Sequence, residues 1–428
     1  MSEAFEVIEI CAGAGGQALG LKKAGFTHRL AIELDPNACA TLRANFEGEE
    51  HIVREGDVAD PGTWIPEHHR PDNDAGLPEL ALLAGGVPCP PFTIAGKQLG
   101  ANDERDLFAW AVEQVNVIKP RAVMLENVRG LSMPRFAGYR QHVMDQLVSF
   151  GYVAEWRLLH AAGFGVPQLR PRFVLVALQK EYADHFSWPE ESEREVTVAE
   201  AIGDLMGKHK WEGLEDWKKK ASKIAPTIVG GSKKHGGADL GPTRAKRAWA
   251  ELGVDAMGLA DDAPKPGDKF EGKPGPKLTN EMVARIQGWA DEFGDWKFIG
   301  RKTSNYRQIG NAFPPPMAFA VGKAIMKALQ KEGKVSDRQI NQEHDPVYRA
   351  LRDTDKFVTA EDLKKEAGLQ LDIPELEKRI SLINQDFDVE IKEGPKGVEY
   401  KLGAFKAFVG QDDHVRHEAF QKNRTKIS

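Results

Sequence analysis

The sequence predicts an α/β fold: a parallel sheet with crossover helices, then an irregular segment, then a small C-terminal module of three helices and a hairpin. Three observations predict it. Up to about residue 178, short apolar runs alternate with helical patterns. From residue 179 the alternation fades and Gly, Pro, Lys and Trp rise, with the turn clusters Pro264-Lys265-Pro266-Gly267 and Lys273-Pro274-Gly275-Pro276. After a polar stretch near 332–345, helical periodicity resumes and ends in two β patterns joined by a turn.

The elements follow in chain order. Glu6 to Cys11 is strand-like, Gln17 to Ala24 suits a helix, Leu30 to Glu33 is the next strand and Pro36 to Asn45 the next helix. The third strand ends near Asp57, and Leu80 to Ala84 is an unbroken apolar run of the kind buried in parallel sheets. A helix over Asp106 to Ile118 stops at Lys119-Pro120, because the residue before proline avoids the helical region. Ala122 to Leu125 and Arg172 to Leu178 are later strands, and helical spacing returns at Asn280 to Trp289 and Pro316 to Lys331. In the last module Pro346 to Arg352 suits a helix, and Thr359-Ala360-Glu361-Asp362 is a capping-box-like start of a second, which Gly368 stops after Ala367. Pro374 to Gln385 is an amphipathic third helix, and Val389 to Lys392 and Val398 to Leu402 flank the turn Glu393-Gly394-Pro395-Lys396-Gly397. That order is winged-helix-like, but ten basic against fifteen acidic residues over Glu343 to Leu402 favours a protein-contact or structural role over DNA reading.

A chain of 428 residues holds two or three domains. No apolar stretch approaches a membrane span, and MSEAFEVIEI starts as a strand and not as a signal peptide. Cys11, Cys39 and Cys89 are odd in number and lack metal-ligand spacing, so a reducing, cytoplasmic compartment and no metal site are expected. The net charge of −6 hides a local excess: Lys208 to Arg247 carries eleven Lys or Arg against four Asp or Glu, with Trp211, Trp217 and Trp249 within or beside it. Such a segment suits a nucleic-acid surface, or a solvated loop whose tryptophans anchor in the core.

Chemistry concentrates at strand ends, where open α/β sheets place ligands. The loop Gly13-Ala14-Gly15-Gly16 lies between the first strand and first helix, and Glu33 ends the second strand twenty residues after Gly13. An acid there accepts hydrogen bonds from ribose hydroxyls, and Asp57 is placed to accept from an adenine amino group. NAD, FAD and S-adenosylmethionine are all compatible with these residues. The loop Gly85-Gly86-Val87-Pro88-Cys89-Pro90-Pro91-Phe92-Thr93 holds one thiol in a rigid frame, either a nucleophile or a buried structural cysteine. Glu126-Asn127-Val128 follows a strand and brings a carboxylate to the same edge, and Gln168-Leu169-Arg170-Pro171-Arg172 sets two guanidiniums on one face. Thiol, acid and paired guanidiniums suggest attack on an electron-poor acceptor that develops charge.

Taken together and in order, these segments resemble the DNA (cytosine-5)-methyltransferases. The matches are EICAGAGG at 9–16, Glu33-Leu34-Asp35, Gly56-Asp57-Val58, GGVPCPPFT at 85–93, Glu126-Asn127-Val128, QLRPR at 168–172, KLTNEMVARIQGW at 277–289 and RQIGNAFPPPMA at 307–318. The resemblance implies a doubly wound, Rossmann-like, S-adenosylmethionine-dependent catalytic domain over 1–178 and 305–331. A target-recognition domain would occupy 179–304, its variable part near 179–276, followed by the winged-helix-like module at 343–402 and a tail at 403–428. It implies that Cys89 adds to C6 of a flipped cytosine, that Glu126 engages N3, and that Arg172 touches the base or its backbone with Arg170 supporting that side. The implied cofactor residues are Cys11, Ala12, Gly13, Ala14, Gly15, Gly16, Glu33, Leu34, Asp57, Val58, Pro88, Leu107, Asn311 and Phe313. Gln168, Lys233, Lys234, Arg244, Lys246 and Arg247 are implied DNA contacts. Cys11 stands where the family commonly has phenylalanine, Leu34 where an aromatic often follows the ribose acid, and Pro90 where glutamine is usual. Duplex DNA, a cognate restriction endonuclease and a monomer acting at the nucleoid are the implied partners and state. A nicotinamide-dependent dehydrogenase leaves the thiol, Glu126 and the arginines unexplained; a tRNA-acting branch shares the mechanism.

Overall fold

The computed structural model describes residues 4–72, 77–87, 107–133, 136–231, 238–270, 275–332, 335, 345–395 and 397–405. In chain order the first elements are β1 (Glu6–Ile10), α1 (Gly16–Ala24), β2 (Thr27–Glu33), α2 (Pro36–Asn45), β3 (Val53–Glu55), β4 (Leu82–Gly85), α3 (Leu107–Ile118), β5 (Ala122–Val128), α4 (Ala137–Ser149), β6 (Tyr152–His160) and β7 (Pro171–Gln179). The seven strands form one sheet in the order β3-β2-β1-β4-β5-β7-β6, and the pairs β2–β3, β1–β2, β1–β4 and β4–β5 are parallel. The chain is thus mixed α/β with a mainly parallel central sheet, and β1, β2 and β4 all end on the edge from which the glycine loop, Glu33 and Gly86 emerge. Glu126 differs from the expected position after a strand: it lies inside β5, which runs three residues past Leu125.

Alternation sets the core. Val7, Leu82, Ala84, Ala122, Met124, Val174 and Val176 belong to one buried cluster with Leu21 of α1 and the C-terminal helix described next. The residues between them, Ile8, Leu83, Val123, Leu125 and Leu175, are also buried, so neither face of the sheet is wet, as near-continuous apolar strands require.

The chain continues through α5 (Lys180–Ala183), α6 (Val198–Met206), α7 (Leu214–Lys220), α8 (Thr243–Glu251), α9 (Asn280–Ile286), α10 (Lys302–Asn311) and α11 (Pro315–Leu329). α6 starts in a reciprocal capping box between Thr197 and Glu200. α9 stops short of the expected Trp289, since Gly288 takes the left-handed conformation at φ +105°. Trp211, Trp217, Trp249, Trp289 and Trp296 all enter the second buried cluster. The tryptophans of the basic segment are therefore core anchors, while charged side chains such as Arg244 and Arg247 face water. α11 returns to pack on α1, where Gly20 leaves no room for a side chain: a Cβ there would sit 2.6 Å from the Pro315 carbonyl oxygen.

Two compact units divide the chain: 1–87, 117–126 and 156–337 in the first, and 88–116, 127–155 and 338–428 in the second. In the second, α12 (Pro346–Arg352), β8 (Val358–Thr359), α13 (Ala360–Glu366), α14 (Ile373–Asp386), β9 (Phe387–Gly394) and β10 (Gly397–Phe405) follow one another, and the strands pair antiparallel in the order β8-β10-β9. These residues dock on α4 of the same unit. Asp145 accepts from the Tyr348 hydroxyl at 3.1 Å and from Arg352 at 2.6 Å, and His142 meets the Phe387 ring edge-on at 5.7 Å. Among the described residues no helix is long and apolar enough to cross a membrane.

Candidate active site

The glycine loop is a turn that only its own residues allow. β1 ends at Ile10, Cys11 adopts φ +51°, and Gly13 and Gly15 follow at +56° and +88° before α1 begins. Alanine in that region costs roughly 1 kcal/mol or more. Glu33 closes the cradle. Its Oε2 accepts from the Gly13 N–H at 2.7 Å and its Oε1 from the Asp35 N–H at 2.8 Å. Burial pushes the Glu33 carboxyl above its ordinary range, against the pull of these backbone donors. Among the described residues a Cβ built on Gly13 meets nothing within 4 Å. Leu34, next in the chain, is 66% exposed, a bare apolar side chain beside a polar cradle. These features fit a ligand with a hydroxylated sugar and a flat apolar part.

Asp57 lies two residues beyond β3, and its Oδ1 accepts from the Ala59 N–H at 3.0 Å. Val58 is buried, and its carbonyl accepts from the Trp64 indole at 2.7 Å. The Cys11 thiol is pushed far above its ordinary range by burial first, then by Glu33 and Asp57. That places the three side chains in one electrostatic neighbourhood and makes Cys11 a wall and not a nucleophile. Ala12, Ala14 and Gly16 complete the loop. Phe313 is buried, with its carbonyl against Gly16 where a Cβ would otherwise go. Asn311 is exposed at the end of α10 and donates to the Gly231 carbonyl at 3.3 Å. Leu107 opens α3 in the second unit.

Cys89 and Pro88 lie outside the described residues, as do Lys233 and Lys234. Glu126 is 8% exposed and pairs with the Arg172 guanidinium. Burial weighs against the Arg172 charge and Glu126 offsets it. A Cβ on Gly86 would lie 3.3 Å from Glu126 Oε2 and 3.9 Å from the Cys11 carbonyl oxygen. The acid and the start of the glycine loop therefore face one another across a residue with no side chain.

The two arginines part company. Arg170 is fully buried and donates to the carbonyls of Ile228 at 2.9 Å, Gly310 at 2.9 Å and Ala312 at 2.8 Å. It clamps three carbonyls of two backbone segments. Gln168, expected at the DNA, has no exposed surface: it donates to the Ile286 carbonyl at 3.1 Å and accepts from the Ile228 N–H at 3.1 Å. On α8, Arg244 and Arg247 are exposed and make no ion pair among the described residues, whereas Lys246 pairs with Asp239 at 2.8 Å. One participant was not visible in the sequence. Trp296 donates from its indole to the Ala14 carbonyl at 2.8 Å and lays its ring on Gly15, a contact 282 residues apart with no local signal.

The family profile of C-5 cytosine-specific DNA methylases matches residues 5–327. The chain is 64% identical over 426 residues to the type II methyltransferase M.NaeI of Lentzea aerocolonigenes, covering 100% of both proteins. It is 49% identical over 332 residues to the type II methyltransferase M.NgoMIV of Neisseria gonorrhoeae, 77% of this chain and 99% of that one. A solved E. coli structure, titled as a DNA modification methyltransferase encoded within a prophage, superposes with a TM-score of 0.52 at 21% identity, covering 76% of this chain and 100% of its own, and shows the same fold.

Proposed function

We infer the working of this site from one premise: the chain belongs to the C-5 cytosine-specific DNA methylase family. It is a DNA cytosine-5 methyltransferase of the type II, restriction-modification kind. The observation that carries the mechanism is the meeting of Glu126 with the cofactor loop across Gly86.

The donor we assign is S-adenosylmethionine, which supplies an electrophilic methyl group. Glu33, both oxygens already fixed by backbone N–H groups, turns its remaining lone pairs to the ribose hydroxyls. Leu34 offers its exposed face to the adenine, and Asp57 accepts from the adenine amino group. Cys89 is the nucleophile: its thiolate adds to C6 of a cytosine turned out of the duplex. Glu126 hydrogen-bonds N3 so that the electron pair displaced from the ring has a place to go, and Arg172 holds that carboxylate and faces the base. C5 would then take the methyl group, the sulfur–carbon bond breaking so that S-adenosylhomocysteine would leave with the bonding pair. Loss of the C5 proton and departure of the Cys89 sulfur restore the ring as 5-methylcytosine.

The chain returning between β7 and α10 is the target-recognition part, with the catalytic residues before it and the cofactor residues Asn311 and Phe313 after it. Arg244 and Arg247 meet the DNA from α8, with Lys233 and Lys234 in the same segment; Arg170 and Gln168 keep that segment in place. The residues from α12 to β10 fall outside the family match and follow a winged-helix-like order, and their acidic balance suits a protein contact. A monomer acting at the nucleoid, beside a cognate restriction endonuclease, is the setting we assign.

Transfer of a tritiated methyl group from S-adenosylmethionine to duplex DNA tests the activity, and bisulfite sequencing of DNA from expressing cells gives the site. Cys89→Ser is expected to abolish both turnover and covalent trapping on 5-fluorocytosine DNA. Retained trapping would remove Cys89 from its role.

A further inference from the structure

We propose that Trp296 is a positioning residue for cofactor binding, fixing the Ala14–Gly15 turn of the glycine loop from a part of the chain nearly three hundred residues away. The proposal rests on the assignment of that loop and Glu33 as the cofactor cradle.

The contact is specific in two ways. The indole N–H donates to the Ala14 carbonyl at 2.8 Å, and the six-membered ring occupies the place where a Gly15 side chain would be. The ring is itself held: it is buried, and Phe46 meets it edge-on at 6.3 Å. The backbone behind it is stitched to α2, the helix that follows the ribose acid. Asn45 donates to the Lys297 carbonyl and accepts from the Lys297 N–H, both at 2.9 Å. Thr41 accepts from the Ile299 N–H at 2.8 Å and donates to Gln308 at 2.6 Å. Trp296 thus arrives on a segment with little freedom, and its one donor is spent on the one loop carbonyl at the turn.

The turn needs such a partner. Gly13 and Gly15 are both left-handed, and glycine loses the most conformational freedom on ordering. A loop prepaid in its bound shape binds ligand more tightly than one that must be ordered on binding. The Gly13 N–H that Glu33 fixes belongs to the residue just before the one whose carbonyl Trp296 fixes. The loop is pinned at two adjacent residues, once by the ribose acid and once by this indole.

Calorimetric titration of S-adenosylhomocysteine into full-length wild type, Trp296→Phe, Glu33→Ala and Asn45→Ala tests this, with binding to a fluorescent duplex and thermal melting measured alongside. Trp296→Phe keeps most of the ring and removes the donor. It is expected to weaken S-adenosylhomocysteine about tenfold, the usual order for one buried hydrogen bond. Cofactor-free duplex binding should stay within about twofold, and the KM for S-adenosylmethionine should rise with kcat at saturation unchanged. Affinity within about twofold of wild type overturns the proposal. So does a loss shared equally by duplex binding and melting, which is what a merely structural tryptophan gives. If Trp296→Phe does not fold, Asn45→Ala decides, because it loosens the segment without touching the ring: unchanged cofactor affinity there overturns the proposal. Wild type that binds no S-adenosylhomocysteine overturns the cofactor assignment itself. A Glu33→Ala defect with a normal Trp296→Phe overturns only the role of Trp296.

Discussion

Arg170 takes a full charge into the interior, and backbone carbonyls receive it. Three of them, from two segments distant in sequence, accept its guanidinium within 3 Å. A lysine ammonium is a point donor and cannot span them. Arg170→Lys is therefore expected to cost about 3 kcal/mol of stability in urea unfolding, as unpaired buried carbonyls lose their partner. Glu126→Gln is a different kind of loss. It removes the charge that faces Arg172 but leaves the Gly13–Glu33 cradle intact, so S-adenosylhomocysteine binding should be unchanged while methyl transfer falls at least about 100-fold. The sequence made Glu33, the glycine loop and Glu126 legible because strand, loop and acid are neighbours in the chain. Arg170 read as a partner of Arg172 because two-residue spacing was the only information present. Its real partners lie 58, 140 and 142 residues away.

Helices and strands were legible where local rules decide them. α2 and α12 begin at Pro36 and Pro346 behind the capping aspartates Asp35 and Asp345, and both run as expected. α4 and β6 gave no such signal: α4 has no side-chain cap, and its buried residues include the polar Gln141, which blurs the apolar periodicity. The short helices of the basic segment escaped for the same reason, and their tryptophans, read beside lysines, suggested a surface until burial placed them in the core. α4 carries a pH signature. Burial lowers the His142 pKa from 6.5 to about 4, against the opposing pull of Asp145. A histidine kept neutral by folding contributes fully above its unfolded pKa and loses that contribution as pH falls from 6.5 toward 4, about 3 kcal/mol in all. The melting temperature should drop over that window, and less so in His142→Gln. Equal pH slopes for the two proteins would show that His142 is not the group responsible.

For the whole molecule, a negative sum coexists with action on DNA, and several basic side chains of the segment from Lys208 to Arg247 are balanced locally. Lys208 is close to Asp262, Lys218 to Glu215, Lys219 to Asp216 and Lys246 to Asp239. Arg244 and Arg247 have no such neighbour among the described residues. Replacing either with alanine is expected to lower the slope of log affinity against log salt by about 1 if it meets phosphate. A flat salt slope in both variants would place the contact elsewhere. The pinning of α1 by α11, of Gly16 by the Phe313 carbonyl and of Ala14 by Trp296 has a consequence in time. Contacts so distant along the chain form late, after the entropy of closing very long loops has been met. During synthesis the N-terminal strands and Glu33 emerge first, yet the turn they frame lacks its Trp296 and Phe313 contacts until those distant residues have followed. An interrupted chain therefore carries the first motifs of the family without the two late contacts that hold the glycine loop.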